Sequence, residues 1–445
     1  MKRISAGRIL RLAFPLILQQ LCLQLQIWID RAMLGHVNAE FFSAIGNTTV
    51  PYHMATSVII AVCGGTAILV AQNIGANNLR QVTAVAESSF VGNSMLSLAA
   101  FLFFLFFSDD LFQIMGVQDQ ILKYSISYIR ILSLSLLILG PSSTATSVLQ
   151  GLGFTKIIMI SGILGNIVNI FLDWVLIFGK FGFPAMGIEG AAIATVIANF
   201  LSAPLTILFI LKSPEMPVRP RLFTSLSRSL REYRQVLALG IPSGLEYGLW
   251  NVGNLMLVTY LNRLDMLSAG IYTLVFSIET VPLMIYMGFA NAGLTLVGQE
   301  VGANDPRQAK RAGFLCLFFS LAICLVTGCL FRMFPRPILS LFTDDTTILD
   351  ISVPYLKFIA WILFPKAVNN VIGLCIRGLG DTRWMLYTQI FGTLFMIIGG
   401  YLLILRSGLG LLGVFVTLLA DEALRGVVNL LRFYASGRER QLTGS

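Results

Sequence analysis

Apolar stretches of about twenty residues recur along the whole chain, and short polar segments separate them at nearly regular intervals. A helix of about 20 apolar residues is long enough to cross the roughly 30 Å hydrocarbon core of a bilayer. We therefore expect an all-α polytopic membrane protein with about twelve transmembrane helices. The predicted spans are 12–34, 51–73, 84–107, 125–149, 157–179, 190–211, 236–261, 271–296, 312–333, 351–375, 385–405 and 413–431.

The chain repeats parts of its own sequence at an offset of 227 residues. Two stretches and two single residues recur at this offset: Val70–Gln81 (VAQNIGANNLRQ) and Val297–Gln308 (VGQEVGANDPRQ), Leu149–Lys156 (LQGLGFTK) and Ile376–Arg383 (IRGLGDTR), Pro15 and Pro242, Tyr128 and Tyr355. Four separate matches at one offset indicate a duplicated structural unit of about half the chain.

Each repeat is predicted to form a bundle of six helices. The N-terminal lobe would cover residues 1–211, a cytoplasmic linker 212–235, and the C-terminal lobe 236–445. Because each bundle would begin and end on the same side of the membrane, the two are expected to be parallel repeats related by a pseudo-twofold axis along the membrane normal. Transporters are commonly built from such repeats.

The charge distribution orients the chain and excludes some functions. Only 12% of the 445 residues are charged, and the net charge is +9. Lys and Arg concentrate in every second loop, which is the positive-inside pattern and predicts both termini on the cytoplasmic side of the inner membrane. This distribution argues against a nucleic-acid partner. With two histidines and no metal or nucleophile cluster among the six cysteines, we also expect no enzymatic activity.

Two carboxylates, an amide and a hydroxyl lie inside predicted spans of the first repeat. Asp30 lies in the first span, Asn169 and Asp173 lie one helical turn apart in the fifth, and Thr195 lies in the sixth. Ionisable residues at membrane depth are costly and usually functional. This oxygen-rich set suits a small cation or a shared proton. As structural alternatives, Asp30 could pair with Arg31 at the interface and Asp173 could form a buried hydrogen bond between helices.

The second repeat has acidic residues of its own. Glu246 in the seventh span and Glu279 in the eighth are secondary candidates for ion coupling. Lys366 and Arg425 also lie within spans, so the alternative is a structural network of internal ion pairs.

The chain resembles the multidrug and toxic compound extrusion (MATE) family of secondary transporters, prokaryotic type, over essentially its full length. The resemblance rests on six short stretches: Asp30–His36 (DRAMLGH), Ala71–Asn78 (AQNIGANN), Gln150–Thr155 (QGLGFT), Asn166–Asp173 (NIVNIFLD), Met186–Thr195 (MGIEGAAIAT) and Arg377–Thr382 (RGLGDT). The family's cation site matches Asp30, Asn169, Asp173 and Thr195. A first-helix proline, at which that helix is proposed to bend, matches Pro15.

The resemblance implies a cation-coupled antiporter that uses Na⁺ or H⁺ to export amphipathic, often cationic, drugs or toxic organic compounds by alternating access. We expect no cofactor besides the coupling ion, and a monomer surrounded by membrane lipids. The alternative is a lipid-linked oligosaccharide flippase of the same superfamily. That function calls for a large cationic cavity, and basic residues within the predicted spans are few.

Overall fold

The computed structural model describes residues 3–35, 39–221 and 226–442, and these fold into helices joined by short turns. The helices are α1 (Ala6–Gly35), α2 (Ala39–Gly75), α3 (Leu79–Ile114), α4 (Asp119–Ser133), α5 (Leu136–Leu152), α6 (Thr155–Phe178), α7 (Gly187–Lys212), α8 (Leu226–Asn262), α9 (Met266–Gly302), α10 (Pro306–Met333), α11 (Pro335–Leu339), α12 (Thr346–Gly378), α13 (Thr382–Gly400) and α14 (Leu411–Leu442). A π-helical segment, Tyr401–Arg406, extends α13. The predicted all-α class is confirmed.

The number of long helices agrees with twelve spans. Among the described residues, nine helices are long and apolar enough to cross a membrane, and the pair α4 and α5, bent by 45°, makes a tenth. Helices α8 and α14 are 37 and 32 residues long, which is also sufficient. Their buried charges, among them Glu246 in α8 and Asp421 in α14, lower the hydropathy of these two helices.

The helices form two compact units. One comprises Leu18–Gly244, and the other comprises Met1–Ile17 together with Leu245–Ser445. The two cut points, after Ile17 in α1 and after Gly244 in α8, are themselves 227 residues apart. Each unit therefore contains the first part of a helix that continues in the other unit. The two divided helices, α1 and α8, are equivalent in the sequence repeat, and they are divided at equivalent positions.

The duplicated motif forms the same turn in both units. The left-handed conformation falls on Asn77 (φ 56°) and Asn304 (φ 57°). The next residues, Asn78 and Asp305, cap α3 and α10 by accepting hydrogen bonds from backbone N–H groups three residues on. Asparagine tolerates this conformation better than other non-glycine residues, and Asn and Asp are favoured N-caps.

A duplicated glutamine holds the beginning of the exchanged helix in each unit. In the Leu18–Gly244 unit, the Gln81 side chain donates to Glu232 in α8 (3.1 Å). In the other unit, its repeat counterpart Gln308 accepts a hydrogen bond from the backbone N–H of Ile4, just before α1 (3.2 Å). The repeat therefore preserves a contact as well as a sequence motif.

Candidate functional site

The Leu18–Gly244 unit brings the four predicted cation-site residues together. Asp30 is near the end of α1, Asn169 and Asp173 lie on α6, and Thr195 lies on α7. The Asn169 side chain donates to Thr195 Oγ1 (3.4 Å). Helices α6 and α7 can approach closely because Gly190 lies against Leu176, where an added Cβ would be 2.8 Å from a backbone atom.

Gln26, one turn before Asp30 on α1, joins the two sides of the site. Its side-chain N–H group donates to Asp30 Oδ2 (3.3 Å) and to Asn169 Oδ1. Sequence reasoning missed this residue because an isolated glutamine in a span is not unusual. Its spacing of four residues from Asp30, which places both on one helix face, was the available signal.

Two buried carboxylate oxygens of the site have no hydrogen-bond donor among the described residues. Asp30 Oδ1 and Asp173 Oδ1 accept no hydrogen bond from the described residues, and the two carboxylates lie close enough to interact directly. Asp173 and Asn169 are each only 1% exposed. Neighbouring carboxylates removed from water cannot both remain ionised without a compensating charge. A shared proton or a small hard cation fits this arrangement of oxygens.

Tyr128 of α4 is a further neighbour of the site, since it packs against Ile177 and Ala191, which lie one helical turn from Asp173 and Thr195. In the sequence, Tyr128 stood out only because Tyr355 occupies the equivalent position of the second repeat. Its counterpart Tyr355 instead stacks on Phe415 in the other unit, with ring centroids 5.1 Å apart. The side chain of Arg31, a possible partner of Asp30, lies outside the described part of the structure.

Pro15 lies on a buried position of α1, fifteen residues before Asp30. The helix continues without interruption through it, and α8 likewise continues through its counterpart Pro242. A proline inside a helix removes one backbone hydrogen bond and so creates a local weak point.

The acids of the second unit are paired with basic residues. Glu279 forms a buried ion pair with Lys366 (2.7 Å), and the buried Glu246 pairs with the partly exposed Arg377 (2.7 Å). Glu246 and Glu279, the secondary candidates for ion coupling, are thus arranged as in a network of internal ion pairs, which was the structural alternative for them.

A second group of paired charges connects α12, α13 and α14 of this unit. Arg425 binds Asp421 (2.5 Å), lies 3.7 Å from Glu422, and donates to Gln389 Oε1 (2.6 Å). Asn369 donates to the second oxygen of Glu422 (2.7 Å). Among the described residues, no cluster of three or more His, Cys, Asp or Glu side chains is placed to hold a metal ion.

The long apolar helices and the buried polar site define a polytopic helical membrane transporter. The sequence model of the MatE family matches twice, at residues 15–175 and 242–402. The two matches begin at Pro15 and Pro242 and are again 227 residues apart. The chain belongs to the MatE family of transporters, which confirms the predicted family and its non-enzymatic class.

Relatives match nearly the full length of the chain. It is 28% identical to "Probable multidrug resistance protein NorM" of Thermotoga maritima over 441 residues, covering 97% of this chain and 92% of that protein. A protein of the same description from Halalkalibacterium halodurans is 27% identical, covering 92% and 90%.

Solved structures show the same fold. An outward-facing multidrug resistance MATE family transporter of the MOP superfamily has a TM-score of 0.89 at 20% identity, covering 97% of this chain and 96% of that one. A MOP superfamily transporter from Pyrococcus furiosus, whose "reverse polarity of binding pocket suggests different function", also has a TM-score of 0.89 at 20% identity, covering 98% and 96%.

Proposed function

We propose that this transporter is a cation-coupled antiporter that exports amphipathic or cationic organic compounds by alternating access. The observation that carries the proposal is the pair of buried carboxylates, Asp30 and Asp173, each with one oxygen open to a proton or Na⁺. The relatives, described as probable multidrug resistance proteins, support the substrate class.

In this mechanism the coupling ion binds between Asp30 and Asp173, while Asn169 and Thr195 complete the oxygen set. Gln26 holds Asp30 and Asn169 in place from α1. The ion and the drug drive exchange only if they favour different conformations or compete for one site. The bodies that would move are the two compact units, Leu18–Gly244 and Met1–Ile17 with Leu245–Ser445, rather than the lobes predicted at 1–211 and 236–445. Pro15 is a point at which α1 could bend.

The coupling is assigned to the Leu18–Gly244 unit because its acids face each other, whereas Glu246 and Glu279 in the other unit are matched by Arg377 and Lys366. A carboxylate that is paired with a basic side chain attracts an incoming cation less strongly, since its charge is already balanced. The inner membrane with both termini in the cytoplasm remains the proposed location, in line with the loop charges.

The test is drug efflux in proteoliposomes with Na⁺ and pH gradients imposed separately, using a fluorescent lipophilic cation. Asp30→Asn and Asp173→Asn should each abolish gradient-driven efflux because each removes one of the paired charges. Asp110→Asn, an exposed position at the end of α3, is the matched control and should behave like the wild type. Efflux near the wild-type rate in both site variants would refute the proposal.

A further inference from the structure

A second polar feature of the Leu18–Gly244 unit is a cavity of about 160 Å³. Side chains of α1, α2, α5, α6 and α7 line it, and its polar groups include Gln19, Ser142, Ser161, Ser202 and Thr206. One water occupies about 30 Å³ in the liquid, so the cavity has room for several. None of its lining residues, all within the described chain, is Asp, Glu, Lys or Arg.

The cavity lies along the same helix faces as the candidate ion site. On each of three helices, a cavity residue and a site residue are seven positions apart: Gln19 and Gln26 on α1, Gly162 and Asn169 on α6, Ser202 and Thr195 on α7. Seven residues are two helical turns, or about 10 Å along the axis. The cavity and the site are therefore stacked along one polar strip of the bundle.

Hydrogen bonds connect the two. With its amide oriented so that both ends are satisfied, Asn166 donates to Gln26 Oε1 (2.8 Å) and to the carbonyl of Gly162 (3.2 Å). Gln26 in turn donates to Asp30, and Gly162 lines the cavity. A continuous series of polar contacts thus runs from the Asp30 carboxylate to the cavity wall.

The cavity lies on one side of the site, towards the ends of the helices that carry basic residues. Helix α6 begins at Thr155, next to Lys156, and α7 ends at Lys212. Ser161 and Thr206 are within about two turns of these ends. By the positive-inside rule this is the cytoplasmic side.

We propose that this hydroxyl-lined cavity is the route by which the coupling ion passes between the Asp30–Asp173 site and the cytoplasm, inside the Leu18–Gly244 unit. The inference rests on the proposed function and adds a path to it. Neutral hydroxyl and amide oxygens can solvate a hydrated Na⁺ or a proton without binding it so strongly that it cannot leave, as conduction requires.

Filling the cavity tests the proposal. Ser142→Leu should slow exchange of the lipophilic cation against Na⁺ or H⁺ in proteoliposomes by about tenfold, equivalent to about 1.4 kcal/mol in the barrier. Equilibrium binding of the drug should be unchanged. Ala99→Leu, an exposed position on α3 of the same unit, adds similar volume outside the cavity and is the control. Wild-type exchange in Ser142→Leu would overturn the proposal.

Access to the cavity can be tested without filling it, which covers the case in which Ser142→Leu does not fold. Ser142→Cys should react with a membrane-impermeant thiol reagent from the cytoplasmic face, above the labelling of the native cysteines. No added labelling from that face would overturn the proposal. If Asp30→Asn and Asp173→Asn abolish coupling while Ser142→Leu is unaffected, only the route is wrong. If both Asp30→Asn and Asp173→Asn keep coupling, the proposed function itself fails.

Discussion

Lys366 and Glu279 form an ion pair that is almost completely buried, at 6% and 1% exposure. Lys366→Met would leave the Glu279 carboxylate without its partner in the protein interior. Breaking a buried pair in this way costs about 3–5 kcal/mol. We expect a clearly lower thermal denaturation temperature in detergent for Lys366→Met.

Two further variants separate loss of pairing from loss of packing. The double variant Lys366→Met with Glu279→Gln should recover most of the stability, since no unpaired charge remains. Arg336→Met breaks the exposed pair with Asp350 and should change stability by about 1 kcal/mol or less. A Lys366→Met variant as stable as Arg336→Met would show that the buried pair has no such role.

Four residues of the site could be found in the sequence, but two of its neutral neighbours, Gln26 and Tyr128, could not. Asp30 and Asp173 stand out because carboxylates are rare within apolar spans. Gln26 and Tyr128 are of types that occur in many spans, and their roles depend on which helices are adjacent. Lys366 was a candidate partner in the sequence, but its pairing with Glu279 and that of Arg377 with Glu246 depend on helix packing and could not be predicted.

Helices α2 and α8 cross at a point where only glycine fits. A Cβ added to Gly240 would lie 2.6 Å from the Cα atom of Val62, and one added to Gly65 would lie 2.5 Å from the carbonyl oxygen of Val236. These are backbone atoms, which cannot move aside as a flexible side chain can. Close contacts between small residues are a common basis of helix association in membranes.

Gly240→Ala should therefore destabilise the protein by about 1–3 kcal/mol, the usual cost of overpacking. Thermal denaturation in detergent measures the effect. Gly248→Ala is the matched control on the same helix, because a Cβ there meets nothing within 4 Å. The control should be neutral or slightly stabilising, since alanine favours the helix over glycine. Equal stabilities of the two variants would contradict the crossing argument.

At the level of elements, hydrophobic pattern predicted the spans but not their local geometry. The fourth predicted span is broken between α4 and α5 at Leu134 and Ser135, where no proline or glycine marks the break. Helix α8 begins at Leu226, so part of the predicted linker belongs to it. The basic residues of that segment are compatible with an amphipathic helix or with a surface loop, and its packing against α3 is seen only in the structure.

In the whole molecule, the boundaries of the two compact units differ from the boundaries of the two sequence repeats. The predicted lobes follow the sequence, with all of the first helix in the N-terminal one. The contacts instead place Met1–Ile17 with Leu245–Ser445, and place the beginning of α8 with the first repeat. Sequence similarity identifies equivalent helices, but it carries no information on whether equivalent helices are exchanged between repeats.

This exchange predicts how the protein responds to being cut between the repeats. A fragment 1–225 lacks the beginning of α8, which its own compact unit contains. In the intact chain the Tyr233 hydroxyl donates to the buried side chain of Asn93 (2.6 Å), and the Tyr233 ring lies against Gly92. Without this segment, the side-chain oxygen of Asn93 loses its donor, and the face of α3 around Gly92 is uncovered.

We therefore expect fragment 1–244, which restores this segment, to accumulate in membranes and to resist proteolysis better than fragment 1–225. Leaving the buried side-chain oxygen of Asn93 without a donor alone costs about 1–3 kcal/mol. Fragment 1–244 carrying Tyr233→Ala should lose most of that advantage, because the added length remains while the contact is removed. Co-expression of 226–445 should rescue fragment 1–225 by supplying the segment in trans. If 1–225 alone is as stable as 1–244, the beginning of α8 is not an integral part of the first unit.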